Sequence, residues 1–407
     1  MKSNIENKLN YLNVEENVEI LIKKLKLNNK SFKKDDVKKV LLLWKIENFY
    51  IGDTCMKISL FLNAFHFFNN STFHVNISNK DVFKKISHVI KNIPNCDDNF
   101  FSSNYDDINF LEYDLILLDK YSEYEIIQHL YENYYSKLLN ESLKLNVYSV
   151  GNIGDIREKI NNSFKVKLDE INITAEDNLR EYEIVISDDE NSWSKNWLNE
   201  NGLKDDEKLI ILLDTSSYKD KLLNTLVYFE FVEKLIVKEK VKILIFDENN
   251  IGKQSFYTQW FGAEKVKKII FANNLNLRKA ICLLGNVKVQ MIIGPCTGLL
   301  HCASGIYRNY LNKGLLQKNE LPLMITYVGM HEDEYNAWSW WTNSLVNCIV
   351  INKSESEQKV LKHLYECPKE TKEFQKMCLT VPEITTEMLT EFINTHFKEK
   401  IVNIGNL

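Results

Sequence analysis

The chain has 407 residues, too many for one ordinary domain and enough for two of about 200. Its formal charge of −5 speaks against a general nucleic-acid binder. Apolar residues make up 44% and aromatic ones 12%, so two cores can be buried and disorder is excluded for most of the chain.

Residues 1–36 read as a Lys-rich helical lead-in. The basic run from Lys23 to Lys39 is either a solvated helix face or a contact for an anionic membrane surface. Val40–Trp44 is apolar on both faces, as in a buried parallel strand. A loop to Gly52-Asp53 follows, and from Thr54 to Phe68 apolar residues recur at helical spacing, which makes a strand–loop–helix unit. Phe73–Ile77 alternates as a second strand, Asp114–Asp119 is a buried strand ending in an acid, and Glu183–Ile186 is a late strand. Charged, Asn-rich sequence at Ser187–Lys208, with a short helix near Trp193–Asn201, marks the domain boundary. The second half then restarts the alternation. Leu209–Leu213, Val241–Phe246, Lys268–Phe271, Val289–Ile293 and Met324–Val328 are the strands, and Leu222–Val237 and Leu277–Leu284 are helices between them. Two α/β domains with parallel sheets are predicted.

The eight cysteines form no CxxC pair, and several sit in apolar runs, which fits a reducing cytoplasm better than a disulfide scaffold. Cys348, Cys367 and Cys378 lack the tight spacing of a zinc site. Residues 1–20 hold no apolar signal core, and no apolar run approaches the ~18 residues of a membrane span, so a cytoplasmic protein is expected.

Glycine is scarce, yet five of the 13 fall within residues 294–329. There Ile293-Gly294-Pro295-Cys296-Thr297-Gly298-Leu299-Leu300-His301-Cys302 ends a buried strand, turns, and starts a helix that Thr297 can cap. The free N–H groups of Gly298 and Leu299 would suit a diphosphate, with Gly298 letting the phosphate approach the backbone. The plainer reading is a capped helix after a tight turn. Asp53 is either a helix cap or a general base at a sheet edge. His301 is either a packed core residue or a site residue. Asp119, at a strand end, can cap the next helix. Lys219 and Lys221 are either solvated or within reach of a phosphate. Trp338, Trp340 and Trp341, after Asp333 and Glu334, either stack on a base or sugar or form a satellite core.

Two of these motifs together resemble the family 9 glycosyltransferases, the ADP-heptose:lipopolysaccharide heptosyltransferases. Ile51-Gly52-Asp53-Thr54-Cys55-Met56-Lys57-Ile58-Ser59-Leu60 resembles the family's N-terminal GD motif, without the proline the family carries near Ser59. Gly294–Ser304 resembles its G-x-D-T-G-x-x-H-x-A-A donor loop. The resemblance spans roughly residues 38–397. It implies the GT-B fold, two Rossmann-like domains with parallel sheets facing a central cleft. The chain then divides into a helical extension (1–37), an acceptor-side domain (38–205), a nucleotide-sugar domain (206–382) and a C-terminal stretch (383–407) crossing back to the first domain.

The resemblance further implies an inverting transfer from a nucleotide-linked sugar, ADP-linked by preference, to a glycan or glycolipid hydroxyl. Asp53 would be the catalytic base. Backbone at Thr297, Gly298 and Leu299 would hold the donor diphosphate, with His301 nearby and Lys219 or Lys221 on a phosphate. No metal and no cofactor are implied, because helix dipole and lysine neutralise the leaving diphosphate. One departure stands out: the family's acid before Thr-Gly is Cys296 here. A thiol hydrogen-bonds weakly. The natural donor would then present a smaller or apolar group at Cys296, or be held by other residues. The alternative is a non-catalytic GT-B-like binding or scaffold protein whose donor loop has decayed.

Overall fold

The computed structural model describes residues 2–46, 48–94, 96, 98–119, 123–140, 143–150, 168–171, 181–330, 337–341, 344–354, 357–367, 375–402 and 404–407. Contacts divide the chain into two units. Met1–Phe49, Lys57–Ser87 and Ile93–Glu181 form the first, and Tyr50–Met56, His88–Asn92 and Tyr182–Leu407 the second.

The first unit holds strands β1 (Lys39–Trp44), β2 (Thr72–Ile77), β3 (Phe100–Phe101), β4 (Leu115–Asp119), β5 (Asn146–Val150) and β6 (Glu170–Ile171). All pair in parallel, in the order β3-β2-β1-β4-β5-β6. Helices α1 (Lys2–Asn29), α2 (Ile51–Phe67), α3 (Lys80–Ile90) and α4 (Glu123–Leu139) accompany them. The start of α2 and the end of α3 belong by contact to the second unit. The lead-in helix is part of the first core. Val18, Leu21, Ile22 and Leu25 recur on one face of α1 and bury in a cluster with Ile126, Ile127 and Leu130 of α4. At its end the buried Asn29 amide donates to the Val147 carbonyl (2.9 Å) and accepts from the Val147 N–H (3.2 Å).

The second unit holds β7 (Lys208–Leu212), β8 (Val241–Asp247), β9 (Ile269–Asn273), β10 (Val289–Pro295), β11 (Leu323–Val328), β12 (Asn347–Lys353) and β13 (Lys359–His363). Their order is β13-β12-β11-β10-β7-β8-β9, and β13 pairs antiparallel with β12. Its helices are α5 (Asp188–Glu200), α6 (Thr225–Ile236), α7 (Lys253–Phe261), α8 (Ala263–Val266), α9 (Leu277–Leu284), α10 (Gly298–Asn312), α11 (Ala337–Trp341) and α12 (Thr386–His396). Counted from its own first strand, the first sheet runs 3-2-1-4-5-6, the doubly wound order, and the second runs 3-2-1-4-5-6-7, the same order with the antiparallel β13 added at the edge. Ligands of such sheets lodge outside the carboxyl ends where the order reverses, here β1/β4 in one unit and β7/β10 in the other.

Three features differ from the sequence pattern. Glu183–Ile186 is extended chain without a sheet partner among the described residues: the Ile184 N–H donates to the Gly305 carbonyl (3.1 Å) on α10. Its three consecutive apolar residues, Ile184, Val185 and Ile186, are all buried, so the apolar run reports burial and not strand pairing. The units part at Glu181/Tyr182, so α5 lies in the second unit and not in the first. The C-terminal helix, expected on the first domain, buries Leu389, Phe392 and Ile393 in the second unit's core, and Thr386 donates to Glu230 of α6 (2.5 Å).

A buried ion pair ties the start of the second unit together. Ser187 and Glu190 form a capping box at α5. Arg278, 5% exposed, donates from Nε to Glu190 Oε1 (2.8 Å) and from Nη2 to Oε2 (2.6 Å). It also reaches the carbonyls of Val185 (2.5 Å) and His88 (3.1 Å). Burial alone would raise the Glu190 pKa, but the Arg278 and Lys91 bonds and the Ser187 N–H outweigh it and hold it down at about 2. Glu190→Ala should therefore cost about 3–5 kcal/mol, because the guanidinium is left buried without its anion. A denaturant midpoint near that of the wild type would show otherwise. The pair's contribution is present above pH 4.5, is lost as the pH falls toward 2, and should be missing from the variant at every pH.

Candidate functional site

Strand β10 ends at Pro295, Cys296 and Thr297 turn the chain, and α10 starts at Gly298. Thr297 is the N-cap by position: its backbone is extended (φ −140°, ψ 153°) and its carbonyl accepts from Leu300 N (3.1 Å). Its hydroxyl makes no capping bond, contrary to the sequence expectation. The first N–H groups of α10 are thus not taken up by a side-chain cap, at the carboxyl edge where the sheet order reverses. Leu299 is buried.

The first turn of α2 packs on the first turn of α10. A Cβ added at Gly298 would stand 2.4 Å from Ile51 Cβ and 2.9 Å from Gly52 N. A Cβ at Gly52 would stand 2.8 Å from the Trp340 ring and 3.2 Å from His301 Cδ2. The close approach that Gly298 permits in this structure is therefore to Ile51 and Gly52. Asp53 follows directly. It is the third residue of α2 and not its cap, and a carboxylate in a first turn is favoured by the helix dipole. Two residues on, Cys55 Sγ lies 3.9 Å from Cys302 Sγ, with both thiols fully buried. Burial pushes the Cys55 thiol well up, so it is a packing group and not a nucleophile.

His301 is 1% exposed. Its Nδ1 lies 3.3 Å from the Tyr182 hydroxyl, and its ring stacks on Trp341 (4.1 Å between centroids, 11°) beside Trp340. Nε2 has no partner among the described residues. Burial pushes its pKa down to about 3, so the ring is neutral and offers a diphosphate no charge near pH 7. Of the three tryptophans, Trp341 is core against this histidine, while the side chain of Trp338 lies outside the described residues, as do Asp333 and Glu334.

The linkage gives a test. The unfolded chain takes up a proton on this histidine below pH 6.5 and the folded chain does not until about pH 3. Stability is then lost as the pH falls through that window, at up to about 1.4 kcal/mol per pH unit. His301→Phe keeps a ring against Trp341 and should show a shallower acid slope in chemical denaturation between about pH 7 and 5. Equal slopes would mean His301 titrates normally.

Lys219, Asp220 and Lys221 form a 3-10 turn after β7. Lys219 is exposed, whereas Lys221 is half-buried and lies 4.9 Å from the centre of the Tyr218 ring. Lys221, Asp220 and Cys296 line one recess with Tyr327, Gly329 and Met330, at the carboxyl ends of β10 and β11. The structure thus brings Lys221 and Cys296 together and leaves Lys219 off that recess. Asp220 was not a sequence candidate, and only its place between the two lysines could have flagged it. Also unforeseen is the pair behind β7. Lys253 Nζ donates to Asp214 Oδ1 (2.5 Å) and to the Phe246 carbonyl (2.7 Å), and Tyr257 donates to Asp214 Oδ2 (3.1 Å). In the first unit, Asp119 and Lys57 line a separate recess with Leu42 and Trp44, at the carboxyl ends of β1 and β4.

Among the described residues, no group of three or more His, Cys, Asp or Glu side chains could hold a metal ion, and no helix is long and apolar enough to cross a membrane.

No protein-family model matches the chain, and no curated protein matches its sequence. Among solved structures it is similar to E. coli ADP-heptose lps heptosyltransferase II, at 12% identity over 89% of this chain and 99% of that one, with a TM-score of 0.56. It is also similar to the glycosyl transferase family 9 from Veillonella parvula DSM 2008, at 10% identity over 89% and 97%, with a TM-score of 0.55. At these identities the likeness is one of fold, and it agrees with the strand order of both sheets: the chain has the GT-B fold that the motif resemblance implies.

Proposed function

We propose that the protein is a glycosyltransferase that moves a sugar from a nucleotide-diphosphate donor to a hydroxyl of a glycan or glycolipid, with inversion and without a metal. The observation that carries this reading is the seating of the Gly52-Asp53 turn on the start of α10. It brings the backbone just before Asp53 against the start of a helix, and a helix N-terminus suits an anion.

In this reading the diphosphate lies at Gly298 and Leu299, with Lys221 on its charge. Asp53 takes the proton of the acceptor hydroxyl as that oxygen bonds to the anomeric carbon. The bond from that carbon to the diphosphate oxygen breaks with its electron pair. Helix dipole and Lys221 stabilise the departing anion, the work a metal ion does elsewhere. The E. coli neighbour is an ADP-heptose lps heptosyltransferase, which makes an ADP-linked heptose the first donor to try. Exposed Lys23, Lys30, Lys33, Lys38 and Lys39 would suit an anionic surface if the acceptor is a glycolipid on the cytoplasmic side. Cys296 favours a second reading, a binding protein that has lost transfer. Titrating ADP, UDP and GDP by calorimetry tests the first: ADP should bind best, and no heat with any of them would remove the enzyme reading.

A further inference from the structure

A nucleotide sugar presents two kinds of polar group, anionic phosphates and neutral hydroxyls. Among the described residues, the recess beside β10 carries a cation, Lys221, and a carboxylate, Asp220, against the apolar and aromatic walls of Tyr327 and Met330. Lys221 and the α10 start suit the phosphates. A carboxylate repels them and accepts two or more hydrogen bonds from hydroxyls. Cys296, on the same recess, is a weak partner for a hydroxyl. The 3-10 turn that presents Asp220 is held by Lys221 N to Tyr218 O (3.3 Å) and Leu222 N to Lys219 O (3.1 Å). Asp220 is itself half-buried, which strengthens a charged hydrogen bond relative to a fully exposed one.

From this we infer that Asp220 holds the hydroxyls of the donor sugar, and so sets its identity as a sugar with free hydroxyls facing the β7–α6 connection. This rests on the function proposed above. Asp220 is a specificity residue: it touches the sugar, while Asp53 serves the acceptor.

The experiment compares the affinity of ADP with that of ADP-heptose, ADP-glucose and ADP-ribose by calorimetry, in the full chain. Asp220→Ala should weaken the best-bound ADP-sugar about tenfold or more while changing ADP itself little, and Asp220→Asn should weaken it less. Adding Cys296→Asp to Asp220→Ala should restore part of the loss, since an acid returns to the same recess. Thermal midpoints of the variants verify folding. Loss of ADP and ADP-sugar affinity by the same factor, or loss of neither, overturns the role of Asp220. So does a wild type that binds ADP but none of the three sugars, and that result leaves the nucleotide site standing. A wild type that does not bind ADP removes the proposed function and this inference with it.

Discussion

Asp53→Asn is expected to slow sugar transfer by at least a hundredfold, with the fold and the donor affinity nearly unchanged. General-base help is typically worth about 10²–10⁴-fold, and an amide cannot take the acceptor's proton. Asn has the same shape, and Asp53 lies in the first turn of α2 without capping it. Losing the charge there removes a dipole interaction worth only about 0.3–1 kcal/mol. Turnover at saturating donor and acceptor, beside calorimetric affinity for the nucleotide, separates the two roles. Wild-type turnover in the variant would reduce Asp53 to a helix-end charge.

Gly298→Val should be the most disruptive single change at the site. From sequence, glycine there reads as room for a phosphate, and valine should then weaken a nucleoside diphosphate far more than the bare nucleoside. The structure adds a cause inside the protein. The new side chain would overlap Ile51 Cβ and press on Gly52 N, which is backbone and cannot turn aside. Overpacking of this kind costs about 1–3 kcal/mol and would push the Asp53 turn off α10. A lowered thermal midpoint together with lost transfer is the expected result. Ile51→Gly in the same chain removes two of the three overlapping atoms and should recover part of the stability. A variant that melts like the wild type and loses only diphosphate affinity would show that packing does not demand glycine here.

Much of this arrangement is readable in the sequence where the chain is apolar on both faces. Val40–Trp44, Leu209–Leu213 and Val289–Ile293 are central strands, buried by helices on each side, so their residues leave little choice of element. Edge strands are less legible. Phe100–Phe101 and Glu170–Ile171 are two residues long, and Lys359–His363 is half-exposed, so their pairing is decided by neighbours distant in the chain. The glycine cluster and the GD turn both stand out in the sequence, and the structure packs them together, but the sequence does not say why the glycines are needed. That Gly52 faces His301 and Gly298 faces Ile51 is a contact between segments far apart in sequence. His301 shows the same limit, because a lone histidine carries no sign of whether Trp341 will cover it. Asp220 could not be told from its exposed neighbour Lys219 until the recess existed.

The scattered membership of the second unit bears on how such a protein can be recombined. Residues 182–407 read as an exchangeable half, yet the seam is not a single peptide bond. A chimera joined only near Tyr182 would pair this α10 with a foreign turn in place of Ile51-Gly52, and this Arg278 with a foreign carbonyl in place of that of His88. It would also lose Lys91 and Asn92, both of which bond Glu190. A graft that keeps the second unit whole must carry Tyr50–Met56 and His88–Asn92 with it, as three separate segments of the chain.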